Sequence, residues 1–138
     1  MTPKTTCKLL IVSTLLIFMT IACKTDNPTI VGVWKPSKLI LSDSLKKESI
    51  ATLIEMTFEK SKEIYYKFNS DSTFGFISDK QIPGLEKAKG KYSIKGQILT
   101  MDYGNKLQES EIIKLTNTEM EGRSKDGITI IYEKLKDE

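Results

Sequence analysis

The chain has 138 residues, a formal net charge of +3, two cysteines and no histidine. That length gives one domain with its own core. The missing histidine excludes Ser-His-Asp and Cys-His catalysis and most zinc sites, and the near balance of 21 basic against 18 acidic residues excludes a strongly basic nucleic-acid binder.

In chain order, Met1 to Ala22 reads as an export leader. Lys4 and Lys8 supply a positive start, and Leu9 to Ala22 carries no charge. The run has the length of a signal-peptide core and is shorter than the roughly 20 apolar residues that cross a bilayer. Thr20-Ile21-Ala22-Cys23 resembles a bacterial lipobox. That resemblance implies cleavage before Cys23 and acylation of its thiol and new amino group, although Thr20 stands where leucine is usual. Two or three acyl chains hold a protein stably on a membrane. The expected divisions are a signal peptide over 1–22, a lipidated tether over 23–29 and a folded domain over 30–138. The expected location is the cell envelope, on the outer membrane of a Gram-negative bacterium. Cys7 leaves with the leader, so no disulfide forms and the fold must rest on its core.

Ile30 to Lys35 is β-branched and apolar and predicts a strand, with Pro36 marking an edge or an early end to pairing and Leu39, Ile40 and Leu41 able to continue it. Between Glu48 and Lys60 the period changes. Ile50, Leu53, Ile54 and Phe58 form a helical stripe, and Ser42 or Ser44 can cap an earlier start. From Glu63 the period returns to two: Ile64, Tyr66 and Phe68 alternate with polar neighbours, and Phe74 and Phe76 follow a turn at Asn69–Ser72. A long loop, Ser78 to Lys89, is broken by Pro83-Gly84. Further strands carry Tyr92 and Ile94, then Leu99, Met101 and Tyr103, then Lys106 to Leu115, Glu119 to Ser124 and Ile128 to Leu135, with an Asp126-Gly127 hairpin before the last. These elements predict an all-β fold, an eight-stranded antiparallel up-and-down barrel with one short helix between the first two strands. The helix would plug or flank one open end.

Three phrases in this frame carry a family resemblance. Gly32-Val33-Trp34 resembles the G-x-W of lipocalins and related calycins. Phe68 to Phe74 resembles the F-x-x-D-G-T-F hairpin of bacterial lipocalin-like lipoproteins, and Gly90 to Thr100 resembles their G-x-Y-x-I-x-G-x-x-L-T hairpin. The resemblance implies a lipocalin-like barrel with a structural signature at Gly32 and Trp34. Two residues depart from it. Ser72 replaces the turn glycine, and Lys134 must stand in for the arginine that packs on the tryptophan, because Arg123 precedes the last strand.

The aromatic and apolar residues Tyr66, Phe68, Phe74, Phe76, Tyr92, Met101 and Tyr103 fall on expected inward faces. They read either as ordinary barrel core or as the lining of a cavity for a small apolar or amphipathic ligand. Glu109 and Glu111 share one strand face and read as solvent-facing. No nucleophile–base set, cofactor motif or metal cluster is visible, so the expected role is non-enzymatic binding. The expected partners are the membrane, through acyl chains on Cys23, and a small hydrophobic ligand, with no nucleic acid. The alternative is a protein-interaction module, an inhibitor or accessory subunit with a filled barrel, whose partner the sequence does not name.

Overall fold

The computed structural model describes residues 27–136. The leader, Cys23 and the first part of the tether lie outside the described residues. The rest forms a closed barrel in which eight antiparallel strands follow one another in sequence order. These are β1 Gly32–Leu41, β2 Ile64–Phe68, β3 Thr73–Ser78, β4 Lys89–Lys95, β5 Ile98–Asp102, β6 Leu107–Leu115, β7 Glu119–Ser124 and β8 Ile128–Lys134. Closure pairs β1 with β8 from Trp34↔Lys134 to Leu41↔Ile128, leaving no open sheet edge.

Pro36 follows the early end of pairing with β2, and the strand continues through Leu39, Ile40 and Leu41 as expected. Its register with β8 shifts between Pro36 and Lys38. Proline is accommodated because pairing with β2 covers only Gly32, Val33 and Trp34, so beyond that point the β2 side of β1 has no ladder to interrupt.

Two helices lie between β1 and β2 where one was expected. The first, α1, is a single turn over Asp43–Lys46 whose Ser42 cap accepts a hydrogen bond from the Leu45 N–H at 3.4 Å. The second, α2, spans Ala51–Ser61. Its buried seam also differs from the expected stripe. Ala51 and Phe58 are buried and Ile54 is half-buried, while Ile50 and Leu53 point to solvent. Positions 51, 54 and 58 follow helical spacing as well as 50, 53 and 54 do, and the small Ala51 lets the helix approach closely. Phe58 faces β1 along Ser37–Leu41, so α2 flanks the barrel wall where β2 has drawn away.

The barrel base is built on Trp34, which is fully buried. Its indole N–H donates to the Ile30 carbonyl at 2.6 Å, and the Lys134 ammonium sits 5.2 Å from the ring centroid. The same ammonium donates to the Thr29 carbonyl at 3.3 Å, tying the approach to β1 onto β8. Lys134 therefore takes the place expected of it. Gly32 has a φ of 133°, and a side chain there would collide with the Lys134 stem. Glycine is needed so that the lysine can cross.

The turn after β2 explains the second departure. Ser72 itself adopts the left-handed conformation, φ 65°, the single positive φ found at a described residue other than glycine. Asp71 supports it by accepting from the Thr73 N–H at 3.1 Å and from the Thr73 hydroxyl at 2.6 Å. A serine in that region carries strain that glycine does not. Ser72→Gly should therefore raise the unfolding free energy by about 1 kcal/mol, read by denaturant melts. A loss of stability would show that the serine makes a contribution beyond its φ.

Candidate functional site

The barrel interior divides into two halves with different side-chain volumes. In the half built from β2 to β5, rings meet in a continuous chain. Tyr66 meets Phe76 at 4.8 Å between centroids, Phe74 meets Tyr103 at 5.0 Å and Phe68 meets Tyr92 at 5.1 Å, all edge to face. Such contacts contribute beyond plain burial. In the half built from β6 to β8, inward positions include Ser110, Gly122 and Ser124, which leave space.

That space is a cavity of about 510 Å³, within the range of small-molecule sites. Its apolar walls are Leu99 and Met101 from β5, Ile112 from β6, Met120 from β7 and Ile130 from β8. Tyr66, Phe68 and Tyr132 separate it from the ring-filled half. It opens at the end of the barrel away from Trp34, where the turns carrying Lys106, Lys125 and Asp126 form a charged mouth. No residue of α1 or α2 borders it.

Of the residues expected to line a cavity, Tyr66, Phe68 and Met101 do so. Phe74, Phe76, Tyr92 and Tyr103 do not border it, because the rings pack against one another and consume their half of the interior. Tyr92 instead serves the fold. Its hydroxyl donates to the Asn69 carbonyl at 2.8 Å, and its N–H donates to the Ser72 carbonyl at 2.8 Å. It staples the β2–β3 turn to β4. Sequence reasoning missed Leu99, Ile112, Met120, Ile130 and Tyr132. The usable signal was the small inward set Ser110, Gly122 and Ser124, which marks volume withheld from the core.

The cavity hydroxyls are neutral at ordinary pH. The Tyr66 and Tyr132 hydroxyls interact, and their rings meet edge to face at 5.5 Å. Burial pushes the Tyr132 phenol well up and raises Tyr66. Burial, with Tyr66 nearby, moves Tyr103 up to about 12. A phenol with a folded pKa above its unfolded value of about 10 adds stability that is complete below that pH and lost as pH rises through the folded value. Phenolate absorbance from these three residues should therefore grow together with loss of the fold above roughly pH 10. Their titration near that pH with the near-ultraviolet circular dichroism unchanged would contradict this placement.

Glu111 does not border the cavity, whereas Glu109, expected to face solvent, lies at the cavity mouth beside Lys125. Glu109 pairs with Lys125 at 2.6 Å and Glu111 with Arg123 at 3.9 Å. Among the described residues no group of three or more His, Cys, Asp or Glu is placed to hold a metal ion. No buried side-chain nitrogen or oxygen among them lacks a hydrogen-bond partner, so the fold does not need a ligand to satisfy a polar group.

A closed eight-stranded barrel based on a glycine–tryptophan pair and holding one internal cavity can be compared directly with known families. The family model of the lipocalin-like domain matches residues 30–122. The chain belongs to the lipocalin-like domain family. A crystal structure of a lipocalin-like protein from Bacteroides uniformis is similar in fold, with a TM-score of 0.50 and 16% identity. That alignment covers 76% of this chain and 97% of the other. No curated protein matches the chain. The family match spans all three phrases read from the sequence, and in this lipocalin-like barrel each has a structural cause. Gly32 gives passage to Lys134, Asp71 supports the turn at Ser72, and Gly90 and Tyr92 hold β4 against its neighbours.

Proposed function

We propose that this protein is a lipid-anchored envelope lipocalin-like protein that holds a small apolar or amphipathic ligand and performs no catalysis. The observation that carries this reading is the 510 Å³ cavity, whose walls are aliphatic, with the Tyr66 and Tyr132 hydroxyls beside the ring-filled half and the charged residues Lys106, Glu109, Lys125 and Asp126 at its mouth. Burial of an apolar group there yields about 25 cal/mol per Å² removed from water, and the Tyr66–Tyr132 pair gives a hydrogen-bonding ligand one point of orientation. Anchoring rests on the lipobox resemblance at Cys23. Among the described residues no helix is long and apolar enough to cross a membrane. Native mass spectrometry of protein purified from its own membranes tests both parts. Bound small-molecule mass and an acylated Cys23 peptide are expected. Ligand-free protein in every preparation would overturn the binding reading, and an unmodified Cys23 would overturn the anchor.

A second reading, a protein-interaction module, is favoured by one observation. Ile50, which immediately precedes helix α2, and Leu53 and Met56 within it are exposed, Leu53 at 61%. Single exposed apolar residues are ordinary, but three at helical spacing form a patch. Under this reading Leu53→Glu with Met56→Glu abolishes capture of an envelope partner while leaving the cavity intact. Unchanged capture would remove it.

A further inference from the structure

Basic and acidic residues alternate along the sequence, but the barrel separates them. Strands β1 to β4 carry six lysines and no carboxylate. Strands β5 to β8 carry six carboxylates and three basic residues. The lysines Lys35, Lys38, Lys67, Lys89, Lys91 and Lys95 are all exposed, and none takes part in the ion pairs found among the described residues. Three of the six carboxylates on the acidic wall are paired, through Lys114–Glu119, Arg123–Glu111 and Lys125–Glu109.

The cationic wall has a recess at its centre. Register places Lys67, Gly75 and Lys89 in one row across β2, β3 and β4, so no side chain fills the middle. The depression above Gly75 measures about 530 Å³ and is bordered by Lys67, Lys89 and Lys91. Four carboxylates around the wall are already engaged, whereas Glu133, opposite Lys35 in the β1–β8 register, takes part in none of the ion pairs found among the described residues and offsets that edge. Glu63 holds Lys80 at 2.6 Å, and Asp79 accepts from the Tyr65 hydroxyl at 2.7 Å. Asp71 is bound to Thr73, and Asp102, opposite Lys91, accepts from the Gly104 N–H at 2.7 Å.

The geometry points to a second site on this protein: the β1–β4 wall docks on an anionic bilayer surface, with phosphate-bearing headgroups seated over Gly75 among Lys67, Lys89 and Lys91. Position selects the bilayer among polyanions. β1 is both the edge of this wall and the first strand after the tether, and the residues from Cys23 to Gly32 reach at most roughly 30 Å when extended. A barrel anchored at Cys23 therefore keeps the wall within reach of the surface that anchors it. Basic residues near an anionic leaflet and an acyl anchor act as two cooperating signals. The site rests on the anchoring reading only for this placement. Acylation of Cys23 is read separately by mass, so either can fail alone.

The test uses the mature chain, residues 23–138, with Cys23→Ser, so that neither leader nor acyl chain contributes, sedimented with vesicles of phosphatidylcholine alone or mixed with phosphatidylglycerol. Preference for the anionic vesicles, weakened by salt, is expected. Lys67→Glu, Lys89→Glu and Lys91→Glu together should lower that partition about tenfold or more. The matched set Lys47→Glu, Lys60→Glu and Lys106→Glu, which removes equal charge off the wall, should lose far less. Should circular dichroism show the first set unfolded, Lys67→Gln, Lys89→Gln and Lys91→Gln replace it, with the same expectation. Equal losses from the two sets, or equal binding to neutral and anionic vesicles, would overturn the site. Duplex DNA displacing the protein from vesicles, or wall-dependent self-association through the acidic face of a second copy, would overturn the bilayer as its occupant.

Discussion

Trp34→Ala should lower the unfolding free energy by about 3–5 kcal/mol, the cost of truncating a fully buried tryptophan. Domains of this size are stable by about 5–15 kcal/mol, so much of the margin would go. Three losses coincide at this residue. The indole body closes the barrel base, its N–H leaves the Ile30 carbonyl unpaired, and the Lys134 ammonium loses the ring beneath it. Lys134 also bonds the Thr29 carbonyl, so the β1–β8 seam loosens at the same end. Urea unfolding followed by circular dichroism gives the value. Trp34→Phe should fall between, keeping most of the apolar volume and losing the hydrogen bond. A loss below about 1 kcal/mol for the alanine would show that the base is not organised by this side chain.

Gly90→Ala is expected to be the next most damaging single change, at or above the upper end of the about 1–3 kcal/mol typical of overpacking. Its φ is not positive, so the requirement for glycine is one of space. A Cβ at this position would collide with the Asp102 carbonyl oxygen and stand 3.0 Å from Phe74 Cε1. The first obstacle is backbone and cannot rotate away. β3 and β4 share only three paired positions, Thr73↔Lys91, Phe74↔Gly90 and Gly75↔Lys89, so a shift at residue 90 strikes the middle of the shortest seam apart from β1–β2. Hydrogen exchange should show the loss concentrated in β3 and β4. Gly84→Ala, where an added Cβ meets nothing within 4 Å, should cost only its φ penalty of about 1 kcal/mol and so separates backbone strain from collision.

The strand count, the order of the strands and the hairpins were legible in the sequence because period-two alternation and turn residues are local. The family phrases were legible for the same reason: each lies within one hairpin or one strand start. The helix face was half legible: Ile54 and Phe58 are packed as expected, while Ile50 and Leu53 are exposed and Ala51 takes their place. Ala51–Ile54–Phe58 and Ile50–Leu53–Ile54–Phe58 both satisfy helical spacing, and the choice between them depends on how far β2 withdraws from β1. The site was half legible. A search for rings found Tyr66 and Phe68 at the cavity and also four aromatic residues that fill the opposite half, because a sequence shows which residues point inward but not how they share the volume. Ser110, Gly122 and Ser124 decide where space remains, and absence of bulk draws no attention in a linear reading. Charge separation was hidden likewise. Lys67 and Lys89 are far apart in the chain and adjacent through Gly75 in the sheet.

Gly122 gives the most direct test of the cavity as a binding site. It lies mid-strand between Ile112 and Ile130, lines the cavity, has no positive φ, and an added Cβ would meet only Tyr132 Cε2 at 4.0 Å. A leucine there starts from an uncrowded Cβ, carries its bulk toward the cavity, and also relieves the entropic cost of glycine in a strand. The measurement is a fluorescence titration of the wild type and Gly122→Leu with a dansylated medium-chain fatty acid, alongside a thermal melt of each. Saturable binding to the wild type, weakened at least about tenfold in a variant that melts no lower, is the predicted result. Equal binding by the two proteins, or none by either, would contradict the assignment of this cavity as the ligand site.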